Sequence, residues 1–88
     1  MLLIYSLLTN LDDARASSVA CTHHLLEHRM RTNWKVVERL LSCAMENGWA
    51  EIGPEGGSYH ITVRGRAFRE VLEKAIAPVY ADYLERRI

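Results

Sequence analysis

Apolar residues recur at helical spacing from the start of the chain, where Leu3, Ile4, Leu7, Leu8 and Leu11 make one wide stripe. Asn10, Asp12 and Asp13 interrupt it; these residues favour turns and helix N-termini, so the first helix is expected to end there. A second helix is expected within Ala14 to Arg29, offering Val19, Leu25 and Leu26 to a core. Arg29-Met30-Arg31 reads as a short polar link, after which Thr32 or Asn33 caps a third helix. From Trp34 onward, Val37, Leu40, Leu41, Ala44 and Met45 share one face at period 3.6, with Lys35, Arg39, Ser42 and Glu46 opposite. Asn47-Gly48 ends that helix, since glycine adopts the left-handed conformation of a C-cap without steric cost.

The period then drops to two. Trp49 to Ile52 alternates bulky with small or polar residues, and Tyr59, Ile61 and Val63 alternate with His60 and Thr62. Gly53-Pro54-Glu55-Gly56-Gly57-Ser58 separates the two runs as a turn, so they predict a β-hairpin with Trp49 as an anchor beneath it. Gly65 marks the exit into a long helix from about Arg66 to Arg86, striped by Phe68, Val71, Leu72, Ala75, Ile76, Val79, Tyr80, Tyr83 and Leu84. Pro78 should kink it, because the Lys74 carbonyl loses its donor. The fold class expected is α+β, mainly α: three helices, a two-stranded hairpin and a long C-terminal helix. Residues 1–88 make one domain, with 65–88 as its C-terminal helix.

Two runs carry a family likeness. The first is Val36-Val37-Glu38-Arg39-Leu40-Leu41 followed by Glu46-Asn47-Gly48-Trp49-Ala50-Glu51-Ile52, and the second is Tyr59-His60-Ile61-Thr62-Val63-Arg64-Gly65-Arg66-Ala67-Phe68. From Thr32 onward the chain resembles winged helix-turn-helix domains, particularly the small dimeric regulators of archaea and their viruses. In that family a polar-Gly-hydrophobic step leads from the recognition helix into the wing, and a Tyr-x-Leu/Ile-Thr-x-x-Gly run opens the last helix. The resemblance implies a sequence-specific transcriptional regulator that binds double-stranded DNA as a homodimer, its third helix in the major groove. By that likeness Thr32, Asn33, Lys35 and Arg39 would face base edges, Asn reading adenine and Arg guanine with paired hydrogen bonds. Arg29 and Arg31, in the turn, would hold phosphates. Thr62 would cap the last helix through its hydroxyl, with Gly65 permitting close backbone approach.

Charge constrains that reading. Eleven basic and eleven acidic side chains leave a formal charge of zero, whereas nucleic-acid binders usually carry a positive excess. The distribution is nevertheless uneven. Arg29, Arg31, Lys35 and Arg39 form one basic run, and Arg64, Arg66 and Arg69 another, while acids gather at Asp12, Asp13, Glu73, Asp82 and Glu85. The hairpin turn holds Glu55 and no Lys or Arg, so it offers little to a phosphate backbone.

Other candidate chemistry is weaker. His24-Leu25-Leu26-Glu27-His28 matches the H-x-x-E-H string of inverted zinc peptidases, with Cys21 and His23 nearby, but no distant third ligand or substrate cleft is evident. An exposed polar face on the second helix explains the string better. Cys21 reads as a small core residue, and Cys43 as a thiol near the exposed edge of the third helix. Two cysteines without framework spacing point to a reducing, cytoplasmic setting (the host cytoplasm for a viral protein). Met1 to Leu8 is too short to span a bilayer and lacks basic residues. No phosphate loop or nucleophile-base set is visible, so neither catalysis nor a cofactor or metal is expected.

The long helix, roughly 30 Å at ~1.5 Å per residue, exceeds the small helical core beneath it. Val79, Tyr80, Tyr83 and Leu84 are expected to extend past that core and pair with a second copy. Two alternatives stand beside the dimeric regulator. One is a winged-helix protein-interaction module without DNA binding. The other is a metal- or redox-responsive sensor using Cys21, His24 and His28.

Overall fold

The computed structural model describes residues 2–54 and 56–87, with side chains described up to residue 77. The elements are α1 (Leu2–Ala16), α2 (His23–Met30), α3 (Trp34–Glu46), β1 (Ala50–Ile52), β2 (Tyr59–Ile61) and α4 (Val63–Arg87). The fold is α+β and mainly helical, with four helices and a two-stranded antiparallel sheet. Its element order is the one the hydrophobic pattern predicts.

Asn10, Asp12 and Asp13 do not end α1, contrary to the expectation from their turn preference. The Asn10 amide donates to the Ser6 carbonyl one turn back at 2.8 Å, Asp13 faces solvent, and Asp12 faces α4. All three avoid the buried line of Leu7, Leu8, Leu11 and Ala14, so the helix continues beneath them. The second helix falls in the C-terminal part of the expected stretch and runs one residue past it, to Met30. Thr22 caps it, its hydroxyl accepting from the Leu25 amide at 3.1 Å, and Arg29 and Met30 belong to its last turn. Val19, expected in the core, lies in the loop before α2 and is 45% exposed.

Helices α1, α2 and α3 end in the same way. A residue with positive φ follows each, and two amides turn back onto the last carbonyls. After α3 it is Gly48 (φ 73°), with Gly48 N donating to Met45 O and Trp49 N to Ala44 O. After α2 it is Arg31 (φ 52°), with Arg31 N donating to His28 O and Thr32 N to Glu27 O. After α1 it is Ser18 (φ 55°), with Ser18 N donating to Arg15 O and Val19 N to Ala14 O. Only α3 places glycine where the left-handed backbone favours it.

In the hairpin Ala50 faces Ile61, Glu51 faces His60 and Ile52 faces Tyr59. Tyr59 N donates to Cys21 O at 2.9 Å and Ser58 bridges to Thr22, so β2 is fastened to the segment entering α2. Val63 opens α4 rather than closing the strand, and the helix starts three residues before the expected Arg66. Thr62 is the reason. Its hydroxyl accepts from Gly65 N at 2.9 Å and donates to Gly48 O at 2.6 Å, while its own amide donates to Trp49 O at 3.0 Å. Any Cβ on Gly65 would collide with the Trp49 carbonyl, so only glycine permits this approach.

Leu7, Leu8, Leu11, Leu26, Val37, Leu41, Ala44, Ala50 and Ile61 form the core, each large aliphatic contributing about 1.5–3 kcal/mol by burial. Trp49 stacks on Phe68 with ring centroids 4.0 Å apart, joining the hairpin base to α4. The backbone of α4 continues as helix past Pro78. The expected interface side chains Val79, Tyr80, Tyr83 and Leu84 lie outside the described side chains. Among the described residues, no helix is long and apolar enough to cross a membrane.

Candidate functional site

The corner between α2 and α3 gathers the residues singled out from sequence. Arg29 is exposed in the last turn of α2, where a cation complements the helix dipole. Arg31, also exposed, occupies the left-handed position after it and lines a shallow depression with Glu27, His28 and Arg29. Thr32 is half-buried, and its amide is held by the Glu27 carbonyl. Lys35 and Arg39 lie one turn apart on the exposed face of α3, with Glu38 also exposed. Among the described residues, none of these four basic side chains has an ion-pair partner.

Asn33 is the cap expected at Thr32 or Asn33. It is the N-cap of α3, its side-chain oxygen accepting from the Val36 amide at 3.1 Å. Paired hydrogen bonding to adenine needs both the oxygen and the amide nitrogen. The cap occupies one of the two lone pairs on that oxygen, so Asn33 fixes the start of α3 while its amide nitrogen and a second lone pair stay available.

His23 was not foreseen. Its ring is buried and stacks on Trp34 at 3.5 Å with planes 22° apart, bracing the start of α2 against the start of α3. Glu27 lies 3.8 Å from its Nδ1, and neither ring nitrogen has a hydrogen-bond partner among the described residues. Such unsatisfied buried groups cost about 1–3 kcal/mol. Thr22, a capping residue one position before, is the sequence signal that would have set the helix start and turned His23 inward. His24 and His28, by contrast, are exposed. Among the described residues no group of three His, Cys, Asp or Glu side chains could hold a metal.

The second basic run differs from expectation as well. Arg66 and Arg69 both pair with Asp12, at 3.4 and 3.8 Å. Arg69 also donates to Thr9 Oγ1 at 3.1 Å and sits 5.8 Å from the centre of the Tyr5 ring. These two arginines clamp α4 to α1; Arg64, exposed like Arg66, has no ion-pair partner among the described residues. Cys21 is buried, which pushes its thiol up from the ordinary range, with Arg29 opposing. Cys43 is half-buried, its sulfur 3.7 Å from the Asn47 amide nitrogen.

Comparison with protein-family models, with curated proteins and with solved structures finds no match to this chain.

Proposed function

We propose that the chain is a winged helix-turn-helix regulator that binds double-stranded DNA as a homodimer. In this reading α2 and α3 are the helix-turn-helix, the hairpin is the wing, and α4 pairs two copies. The element order, the short α2–α3 turn and the fastening of β2 beside α2 support the architecture.

One observation carries the function. Arg31 sits at a φ of 52° where glycine would be unstrained, at the turn that precedes the exposed face of α3. Strain of this kind persists where a side chain serves a purpose that the easier residue would not. A guanidinium at that turn, beside Arg29, is suited to phosphate oxygens. Lys35 and Arg39 then face the groove as candidate readers, with Thr32 and Asn33 at the turn before them, Asn33 setting the helix start. No catalytic step, metal or cofactor enters this reading.

A protein-interaction module is the second reading. It is favoured by Ile52, 71% exposed at the end of β1, beside a turn that holds no Lys or Arg. Selection from random duplex DNA separates the two. The regulator should enrich a sequence with two half-sites about one helical turn apart, or a multiple of that. Arg39→Ala should then cost ~1–3 kcal/mol and relax preference at one position per half-site. No enriched sequence, with residual binding unaltered by Arg39→Ala, would favour the interaction module.

A further inference from the structure

Between the C-terminal end of α1 and the turn end of the hairpin lies a cleft of about 220 Å³. Its lining includes Leu11, Ala14, Val19 and Ala20 as apolar wall, with Arg15, Tyr59 and His60 among the polar members. Two irregularities coincide there. Val19 is the aliphatic residue that the sequence pattern assigned to the core and the structure leaves 45% exposed. Ser18, also in the lining, holds the left-handed φ of 55° that turns the loop along the cleft.

Among the described residues, the charge of the lining has one sign. Arg15 and His60 are its ionisable basic members, and among the described residues no carboxylate lines it. Arg15 is exposed and has no ion-pair partner among the described residues. The carbonyls of Ala14 and Arg15, which would repel an anion at a helix C-terminus, already accept from Val19 N and Ser18 N. The volume falls below the ~300–1,000 Å³ of pockets for drug-sized ligands, so the occupant must be small.

We infer that this cleft binds a short-chain aliphatic monocarboxylate, its carboxylate on Arg15 and its alkyl body against Val19, Ala20 and Leu11. Such a ligand bridges the α1 end to β2, the strand already held at Cys21 by the Tyr59 amide. It therefore fixes the hairpin against the helical body. The inference concerns the free protein and stands whether or not the chain binds DNA.

The test is a titration of the full chain with hexanoate, followed by amide chemical shifts in the absence of DNA. Saturable shifts should appear at Arg15 to Ala20 and at Tyr59 and His60, with a Kd of roughly 1 mM or tighter. Hexanamide, which lacks the charge, should bind about tenfold more weakly, and so should the Arg15→Gln variant. Val19→Trp, which fills the cleft from an exposed position, should abolish the shifts while leaving the rest of the spectrum in place. Unsaturable shifts, shifts scattered over the surface, or equal affinity for hexanoate and hexanamide would overturn the proposal.

Discussion

Arg31 and Ser18 show what the local backbone asks of a side chain. Each follows a helix in the left-handed region, where an L residue with a Cβ is disfavoured by roughly 1–2 kcal/mol. Neither position was legible in the sequence, because arginine and serine carry no signal for that geometry, whereas Gly48 announced its left-handed cap and Gly65 its close backbone approach. The cysteines give a test at the same scale. In the native protein a thiol reagent should label half-buried Cys43 well before Cys21, as rates of labelling followed by mass spectrometry will show. Burial raises the Cys21 thiol above its ordinary value of 9.0, so the folded chain holds a proton that the unfolded chain releases. Stability should accordingly fall as pH rises above about 9, and Cys21→Ala should flatten that slope in denaturant titrations at pH 8 to 10. A slope unchanged by the substitution would remove Cys21 as its source.

At the scale of elements, the α3 face was fully legible. Val37, Leu41 and Ala44 are buried, and Lys35, Arg39, Ser42 and Glu46 are exposed, as a 3.6-residue period requires. The ends of α1 and α2 were not, because turn-favouring Asn10, Asp12 and Asp13 are overridden by the leucines beneath them. The paired role of Asp12 with Arg66 and Arg69 depends on residues more than fifty positions apart, which no local pattern reveals. The α3–β1–α4 junction, by contrast, was anticipated in Thr62 and Gly65. Thr62→Ala removes the cap of α4 and the hydroxyl donor to Gly48 O at once. It should cost ~1–3 kcal/mol of unfolding free energy, measured by chemical denaturation. Thr62→Ser should retain most of that stability. A serine variant as weak as the alanine one would show that the methyl packing, and not the hydrogen bonds, holds the junction.

For the whole molecule, α4 spans 25 residues, about 37 Å at 1.5 Å per residue, against a body 25 Å wide. Arg66 lies beside Asp12 and Arg69 beside Thr9 and Tyr5, so α1 and α4 run antiparallel. That arrangement points the exposed Leu2 and Leu3 toward the middle of α4, and Val71, in the N-terminal half of that helix, is also 61% exposed. Apolar surface at this end suits a symmetric pairing of two copies. Light scattering at roughly tens of micromolar should give a dimer, and charged replacements of Tyr80 and Leu84 a monomer. A monomeric native chain would contradict the pairing. The most direct test of the functional account is Arg31→Gly on a selected duplex, with affinity measured across a salt series and the melting temperature alongside. Relief of the left-handed strain should raise the melting temperature, while loss of one phosphate contact weakens binding and lowers the salt slope by about 0.9 per protomer. A variant that binds with unchanged affinity and salt slope would contradict the proposed role of the α2–α3 turn on DNA.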